Sequence, residues 1–84
     1  MILTTWEEED DGSYLESIAR LFSSESTPVL KIRLVKDSEG TYQGIIRDFL
    51  SGKMIVATPG KLSLFGAEKL AVEFAKWVIK ETVI

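Results

Sequence analysis

The chain contains neither cysteine nor histidine. Without cysteine it has no disulfide, no thiolate metal ligand and no cysteine nucleophile. Without histidine it lacks the commonest general base and the commonest zinc ligand, and it cannot build a serine nucleophile of the histidine-activated type. The sequence therefore predicts no catalytic residue, no cofactor and no metal site. It favours a non-enzymatic protein in a reducing compartment.

Long apolar runs are also missing. No stretch approaches the roughly 18 residues that a membrane-spanning helix needs. The short apolar start, Met1 to Leu3, is followed by acids rather than by a cleavage site. We therefore expect a soluble, cytoplasmic protein without a membrane partner. The 84 residues include only six glycines and two prolines, which favours one folded domain. A domain this small buries only about 60–65% of its unfolded surface, so homodimer formation is one way to add stability.

The acidic residues are concentrated near the beginning of the chain. Residues 1–27 carry seven acids and one base, whereas residues 28–84 carry six acids and nine bases. Five consecutive acids, from Glu7 to Asp11, repel one another and favour a solvated loop. We therefore divide the chain into an acidic arm over residues 1–12 and a single α+β domain over residues 13–84. We expect the arm to lie near bases of the sheet or of the last helix.

A calcium-binding loop can also be laid over the acidic run. Counting from Glu7, suitable residues stand at Glu9, Asp11 and Gly12. The twelfth position is Ile18, which cannot coordinate a cation. The run therefore favours a solvent-exposed loop over a metal site.

Periodicity predicts two helices. Ser13 and Glu16 match a capping box, and apolar residues at helical spacing follow them, so residues 13–23 are predicted as the first helix and residues 23–28 as a linker. The last segment has the clearest pattern, with small and large apolar residues on one stripe: Ala67, Leu70, Ala71, Phe74, Ala75 and Val78. It predicts a helix over Leu64–Thr82 that is capped by Ser63 or Gly66 and buries this stripe.

Between the helices, alternation and turn residues predict three antiparallel strands. These strands cover residues 29–36, 41–49 and 53–58. A three-residue loop with a glycine bulge at Gly40 sets Ile32 opposite Ile46, and it places Lys31 and Arg47 opposite each other on the other face. The expected fold is α-β-β-β-α, with both helices packed on one face of a three-stranded sheet. Residues 2–6 are compatible with an extra leading strand or with an arm that docks through Trp6.

This order of elements resembles that of the double-stranded-RNA-binding domain. In that family, a glycine-led turn and a basic start to the last helix grip phosphates. At the corresponding stretch, Ser63, Ala67 and Lys69 are similar to the family's pattern, whereas Leu64 and Phe65 stand where the family has lysines. The resemblance therefore concerns architecture, and it implies no family membership.

Several large apolar residues fall where a core is not expected, at a chain end, beside a turn or at the edge of a helical stripe. They are Trp6, Phe49, Leu50 and Trp77. Exposed apolar patches are a common mark of partner surfaces, so these four are the candidate interaction surface. The alternative is that the acidic arm or the helix termini cover them.

The sheet also has a candidate basic face. Lys31, Arg33 and Arg47 project from its outward side, with Lys53 near one end. A basic face without stacking aromatic residues is a poor binder of single strands, and a solvated sheet face is the simpler interpretation.

These features favour a small non-catalytic protein-interaction module or regulatory subunit with an unidentified protein partner. The alternative is a nucleic-acid-binding domain of double-stranded-RNA-binding-like shape, in which the acidic arm competes for the basic surface. A third and weaker reading is an acidic mimic of nucleic acid.

Overall fold

The computed structural model describes residues 2–8, 14–21 and 24–82. Within these residues, six strands precede one helix. The strands are β1 (Ile2–Leu3), β2 (Glu7–Glu8), β3 (Tyr14–Leu21), β4 (Ser24–Lys36), β5 (Tyr42–Asp48) and β6 (Met54–Ala57), and the helix is α1 (Leu64–Thr82).

All strand pairings are antiparallel and form a single sheet. The order across the sheet is β1-β3-β4-β5-β6, and β2 also pairs with β3, beside β1. The sheet is therefore five strands wide, with the two shortest strands sharing one edge and β6 at the other. The helix packs on one face, against β4 and β5.

The expected fold of two helices on a three-stranded sheet is wrong. Residues 14–21 form β3, paired with β4 along its whole length, and Ser24 to Pro28 belong to β4 instead of a linker. The remaining residues of the predicted first helix, 13, 22 and 23, lie outside the described residues. The resemblance to the double-stranded-RNA-binding domain fails with this helix, because the first helix of that order is absent from the described part of the chain.

The reason for the error lies in which residues of β3 are buried. Ser17 and Ala19 face the core with less than 2% of their surface exposed. Their alternation with Glu16 and Ile18 has the period of a strand. Because Ser17 is polar and Ala19 is small, the buried face of β3 has no strong apolar pattern. The larger apolar residues of the same segment have a spacing that also fits a helix. Glu16, expected in a capping box, instead bonds to bases of β4.

The β4–β5 hairpin was predicted correctly. Ile32 pairs with Ile46, and Lys31 pairs with Arg47. In the turn, Gly40 has a φ of 83°, a conformation that favours glycine. The carboxylate of Asp37 accepts hydrogen bonds from the backbone N–H groups of Glu39 and Thr41, at 2.8 and 3.0 Å. Local side-chain bonds of this kind explain why the turn could be located from the sequence.

The last helix was also predicted correctly. It spans Leu64–Thr82, and Ser63 is its N-cap, because the Ser63 Oγ accepts a hydrogen bond from the Gly66 backbone N–H at 3.0 Å. The segment before it is fixed to the sheet by two backbone hydrogen bonds between Leu62 and Tyr42, at 2.7 and 3.0 Å. Among the described residues, no helix is long and apolar enough to cross a membrane.

The core lies between α1 and the sheet, and the helix contributes mostly small residues to it. Its fully buried positions are Ala67, Ala71 and Ala75, with Val78 almost as buried. Leu70 and Phe74, which we expected in the core, are only half-buried. The sheet contributes the large side chains, which are Leu30, Ile32, Leu34 and Ile46. The helix therefore lies close to the sheet along a line of alanines.

Gly44 of β5 permits this close approach. A Cβ at Gly44 would lie 2.7 Å from the Ala71 Cβ and 3.2 Å from the Thr58 Cγ2. The first distance is too short for two carbon atoms, so any side chain here must push α1 away from the sheet. The Thr58 hydroxyl also accepts a hydrogen bond from the Gly44 backbone N–H at 2.8 Å, which fixes β5 against the end of β6.

The beginning of the chain pairs with the sheet. Leu3 pairs with Ala19, and Trp6 is half-buried against the core. Glu7 and Glu8 lie in β2 and pair with β3, so the solvated loop expected from Glu7 onward is wrong for these two residues. The acids Glu9 to Asp11 lie outside the described residues. The division into an acidic arm and a domain remains a prediction.

We predict that Gly44→Ala lowers the free energy of unfolding by about 1–3 kcal/mol, the usual cost of overpacking a core. Urea unfolding of the two chains measures the difference. The matched control is Gly60→Ala, because a Cβ at Gly60 meets no atom within 4 Å; it should change stability by less than about 1 kcal/mol. Equal stability of the Gly44→Ala variant and the parent chain would show that α1 does not approach β5 this closely.

Candidate interaction surfaces

An apolar cleft separates the helix from the edge of the sheet. It has a volume of about 410 Å³ and is lined by Val56 of β6 and by Glu73, Phe74 and Trp77 of α1. We call it the α1–β6 cleft. Trp77 is 65% exposed although it is among the largest apolar side chains of the chain. Apart from Glu73, the described lining residues are apolar, and the cleft has the size of many ligand pockets in proteins.

The cleft follows from the position of α1 on the sheet. The helix sits on β4 and β5, where Gly44 receives Ala71. It does not extend over β6, so Val56, whose neighbour across the sheet is the buried Ile46, is only half-covered. Phe74 packs against the core from one side and lines the cleft on the other.

The exposed side chains of β6, the edge strand beside the cleft, are apolar. Met54 and Ile55 are 59% and 45% exposed. Among the described residues, β6 pairs only with β5, so its other edge carries no neighbouring strand. Proteins usually protect such edges with charges, proline or a covering element. The exposed Lys53 and Pro59 flank the four-residue β6, but the strand itself carries no charge, so its apolar side chains lie open beside the cleft.

The structure does not bring the four predicted apolar residues together. Trp77 lines the cleft, whereas Trp6 packs half-buried against the core beside β2. Leu50 is 90% exposed in the turn between β5 and β6, and the adjacent Phe49 lines a different cleft on the outward face. The role of these residues in binding remains a prediction.

The sequence did not reveal Val56, Glu73 and Phe74 as parts of one site. Phe74 lies on the apolar stripe of α1 and was therefore assigned to the core. One signal was available, because Met54, Ile55 and Val56 form a continuous apolar run instead of an alternating one. A strand that is apolar on both faces predicts cover on both faces.

The predicted basic residues do come together on the outward face. Lys31, Arg33 and Arg47 line a second cleft of about 320 Å³ together with Asp48 and Phe49. Lys53 is exposed in the neighbouring turn and is not part of this lining. The residues share this cleft because Lys31 and Arg47 are direct cross-strand partners.

A carboxylate bridges two of these bases. Glu16 of β3 accepts a hydrogen bond of 2.7 Å from Arg33, and its other oxygen lies 3.3 Å from the Lys31 ammonium. Partial burial raises the pKa of Glu16, but the bonds and charges of Arg33 and Lys31 outweigh it and hold the pKa below its ordinary value of 4.5. Glu16 therefore stays ionised at neutral pH and offsets part of the positive charge.

A second carboxylate lies in the same cleft. Asp48 accepts a hydrogen bond of 2.7 Å from the Ser51 backbone N–H, and this bond and that of the Ser51 hydroxyl hold the pKa of Asp48 below its ordinary value. Across the sheet, Glu7 pairs with Glu16 and adds a further acid beside this face. The outward face is therefore a mixed arrangement of bases and acids rather than a strongly positive surface.

We predict that Glu16→Gln lowers the free energy of unfolding by about 1 kcal/mol near neutral pH, because it removes a partly exposed, charge-assisted bond to Arg33 and Lys31. The folded-state pKa of Glu16 is depressed, so its contribution is complete above the unfolded-state pKa and is lost as the pH falls through the folded-state pKa. Urea unfolding of both chains near neutral pH and at about pH 3 tests this, since the lower pH lies below the ordinary pKa of a glutamate and the contribution of Glu16 falls there. The difference should shrink toward zero in acid; a difference that stays constant would contradict the assigned role of Glu16.

No protein-family model, no curated protein and no solved structure matches the chain. A functional assignment therefore depends on the geometry of the two clefts.

Proposed function

We propose that the chain is a small non-catalytic protein-interaction module, or the regulatory subunit of a larger assembly, that docks a protein partner in the α1–β6 cleft. The observation that carries the proposal is the exposed Trp77 beside Phe74 and Val56 at an uncovered sheet edge. Aromatic residues at the centre of an apolar patch are the residues that most often dominate binding energy at protein interfaces.

The chemistry of the cleft supports this choice. Burial of apolar surface favours association, so a partner that covers Trp77 and Val56 gains binding energy without any charged group. The carboxylate of Glu73, which lines the cleft, can orient the partner. Such a cleft offers recognition rather than acid–base chemistry.

Nucleic-acid binding has less support. Binding to a phosphate backbone requires several bases that are not already neutralised. In the outward cleft, Glu16 engages Lys31 and Arg33, and Asp48 lies in the lining. The resemblance to the double-stranded-RNA-binding domain, which suggested a duplex partner, also fails, because residues 14–21 form a strand instead of the predicted first helix.

The proposal is tested by selecting peptides from a display library of random linear sequences against the immobilised full chain. We expect a family of related apolar sequences whose affinity falls by more than about tenfold in Trp77→Ser, the size of effect expected for a central aromatic residue of an interface. Fluorescence anisotropy of a labelled selected peptide measures the affinities.

The matched control is Phe65→Ser, because Phe65 is 77% exposed on the same helix and does not line the cleft. It should leave the affinity within about twofold of the parent chain. Selected peptides that bind the Trp77→Ser variant as tightly as the parent chain would contradict the proposal.

A further inference from the structure

We infer that the occupant of the α1–β6 cleft is an extended peptide segment that adds to β6 as a further strand and inserts an apolar side chain between Val56 and Trp77. The inference rests on the proposed function and specifies the conformation and chemistry of the partner. Addition of a strand to an exposed sheet edge is a recurring mode of peptide recognition, in which backbone bonds supply affinity and side-chain pockets supply specificity.

The backbone of β6 is arranged for this pairing. Thr58 donates its backbone N–H to the Gly44 carbonyl at 2.8 Å, so Thr58 directs its backbone toward β5. Successive residues of a strand direct their backbone groups to alternate edges. The N–H and carbonyl groups of Ala57 therefore point away from β5, toward the edge where no strand pairs among the described residues.

The cleft lies on the correct side of this edge. Val56 pairs with the buried Ile46, so its side chain is on the face of the sheet that carries α1. In a strand added next to β6, every second side chain points to that same face. One such side chain lies over the sheet edge, beside Phe74 and Trp77, which line the cleft together with Val56.

The charge of the cleft specifies the residues around the anchor. Among the described residues of the lining, Glu73 is the charged one, and it is exposed at the surface of α1. The positions two before and two after the anchor point to the same face as the anchor itself. A basic residue at one of these positions can pair with Glu73, so the expected ligand is an apolar anchor with lysine or arginine two residues away.

A second copy of the chain fits this edge less well. If two β6 strands paired, the helices of the two copies would stand three to four strand spacings apart, or about 14–19 Å. Packed helices lie about 8–10 Å apart. The two helices would therefore not contact each other, and the β6 strand of the second copy would lie where the peptide is expected. This strand, Met54–Ala57, carries no lysine or arginine that can pair with Glu73, so it lacks the basic residue of the expected ligand.

The test uses a peptide from the selection above and ¹⁵N-labelled full chain. Amide hydrogen exchange is measured by NMR with and without saturating peptide. We expect the Ala57 amide to exchange rapidly in the free chain and at least about tenfold more slowly in the complex, because a carbonyl group of the added strand accepts its hydrogen bond. The Val56 amide, which points toward β5, is the internal control and should be protected in both states.

A set of backbone N-methylated peptides tests whether alternate amides of the bound peptide donate hydrogen bonds to β6. Methylation of the amides that face β6 should weaken binding by about tenfold or more, while methylation of the amides between them should have an effect of less than about threefold.

Charge reversal by Glu73→Lys should reduce affinity for a peptide with lysine two residues from the anchor and increase it for the same peptide with glutamate there.

The outcomes separate this inference from the proposed function. Binding that depends on Trp77 but leaves the Ala57 amide unprotected, with no alternation among methylated peptides, would overturn strand addition and leave the docking cleft standing. Protection of the Ala57 amide in the peptide-free chain at micromolar concentration would overturn it in favour of a second copy. Peptide binding that does not depend on Trp77 would overturn both.

Discussion

The contact between α1 and Gly44 of β5 determines how the rest of the structure is arranged. A helix can lie this close to a sheet only if both surfaces are small at the contact, and Ala71 faces a glycine whose missing Cβ would stand 2.7 Å away. The flanking helix positions that are fully buried, Ala67 and Ala75, are equally small. The large apolar side chains of the core come from the sheet instead, and the helix is fixed over β4 and β5.

This placement explains why apolar surface remains exposed. In the described part of the chain, a helix seated over the inner strands leaves β6 uncovered, and Phe74 and Trp77 occupy the flank of the helix that faces this strand. The same flank carries Glu73, and the edge of the sheet carries Ile55. The close packing that stabilises the core thus leaves an apolar cleft next to the outer edge of β6, with which no strand pairs in the described part of the chain. Strand addition requires both a pairing edge and a side-chain pocket.

Sequence patterns predicted the elements whose signals are local. The Asp37 and Gly40 turn fixed the β4–β5 register, and the long period of α1 together with Ser63 fixed the helix. The identity of β3 depended on long-range contacts, since Ser17 and Ala19 are recognisable as core residues only once β4 lies beside them. The cleft could not be found from the sequence for the same reason. The apolar stripe of α1 assigns Phe74 to the core, and only the position of α1 across the sheet shows that Phe74 also lines a cleft.

We propose that a protein partner docks on the helix-bearing side of the sheet, at the α1–β6 cleft. Intermolecular nuclear Overhauser effects between a selected peptide and methyl-labelled chain test it most directly. We expect contacts from the apolar anchor of the peptide to the Val56 methyl groups and to the Trp77 ring. Contacts to Ile18 and Ile45 instead, which lie on the outward face with Lys31 and Arg33, would contradict it.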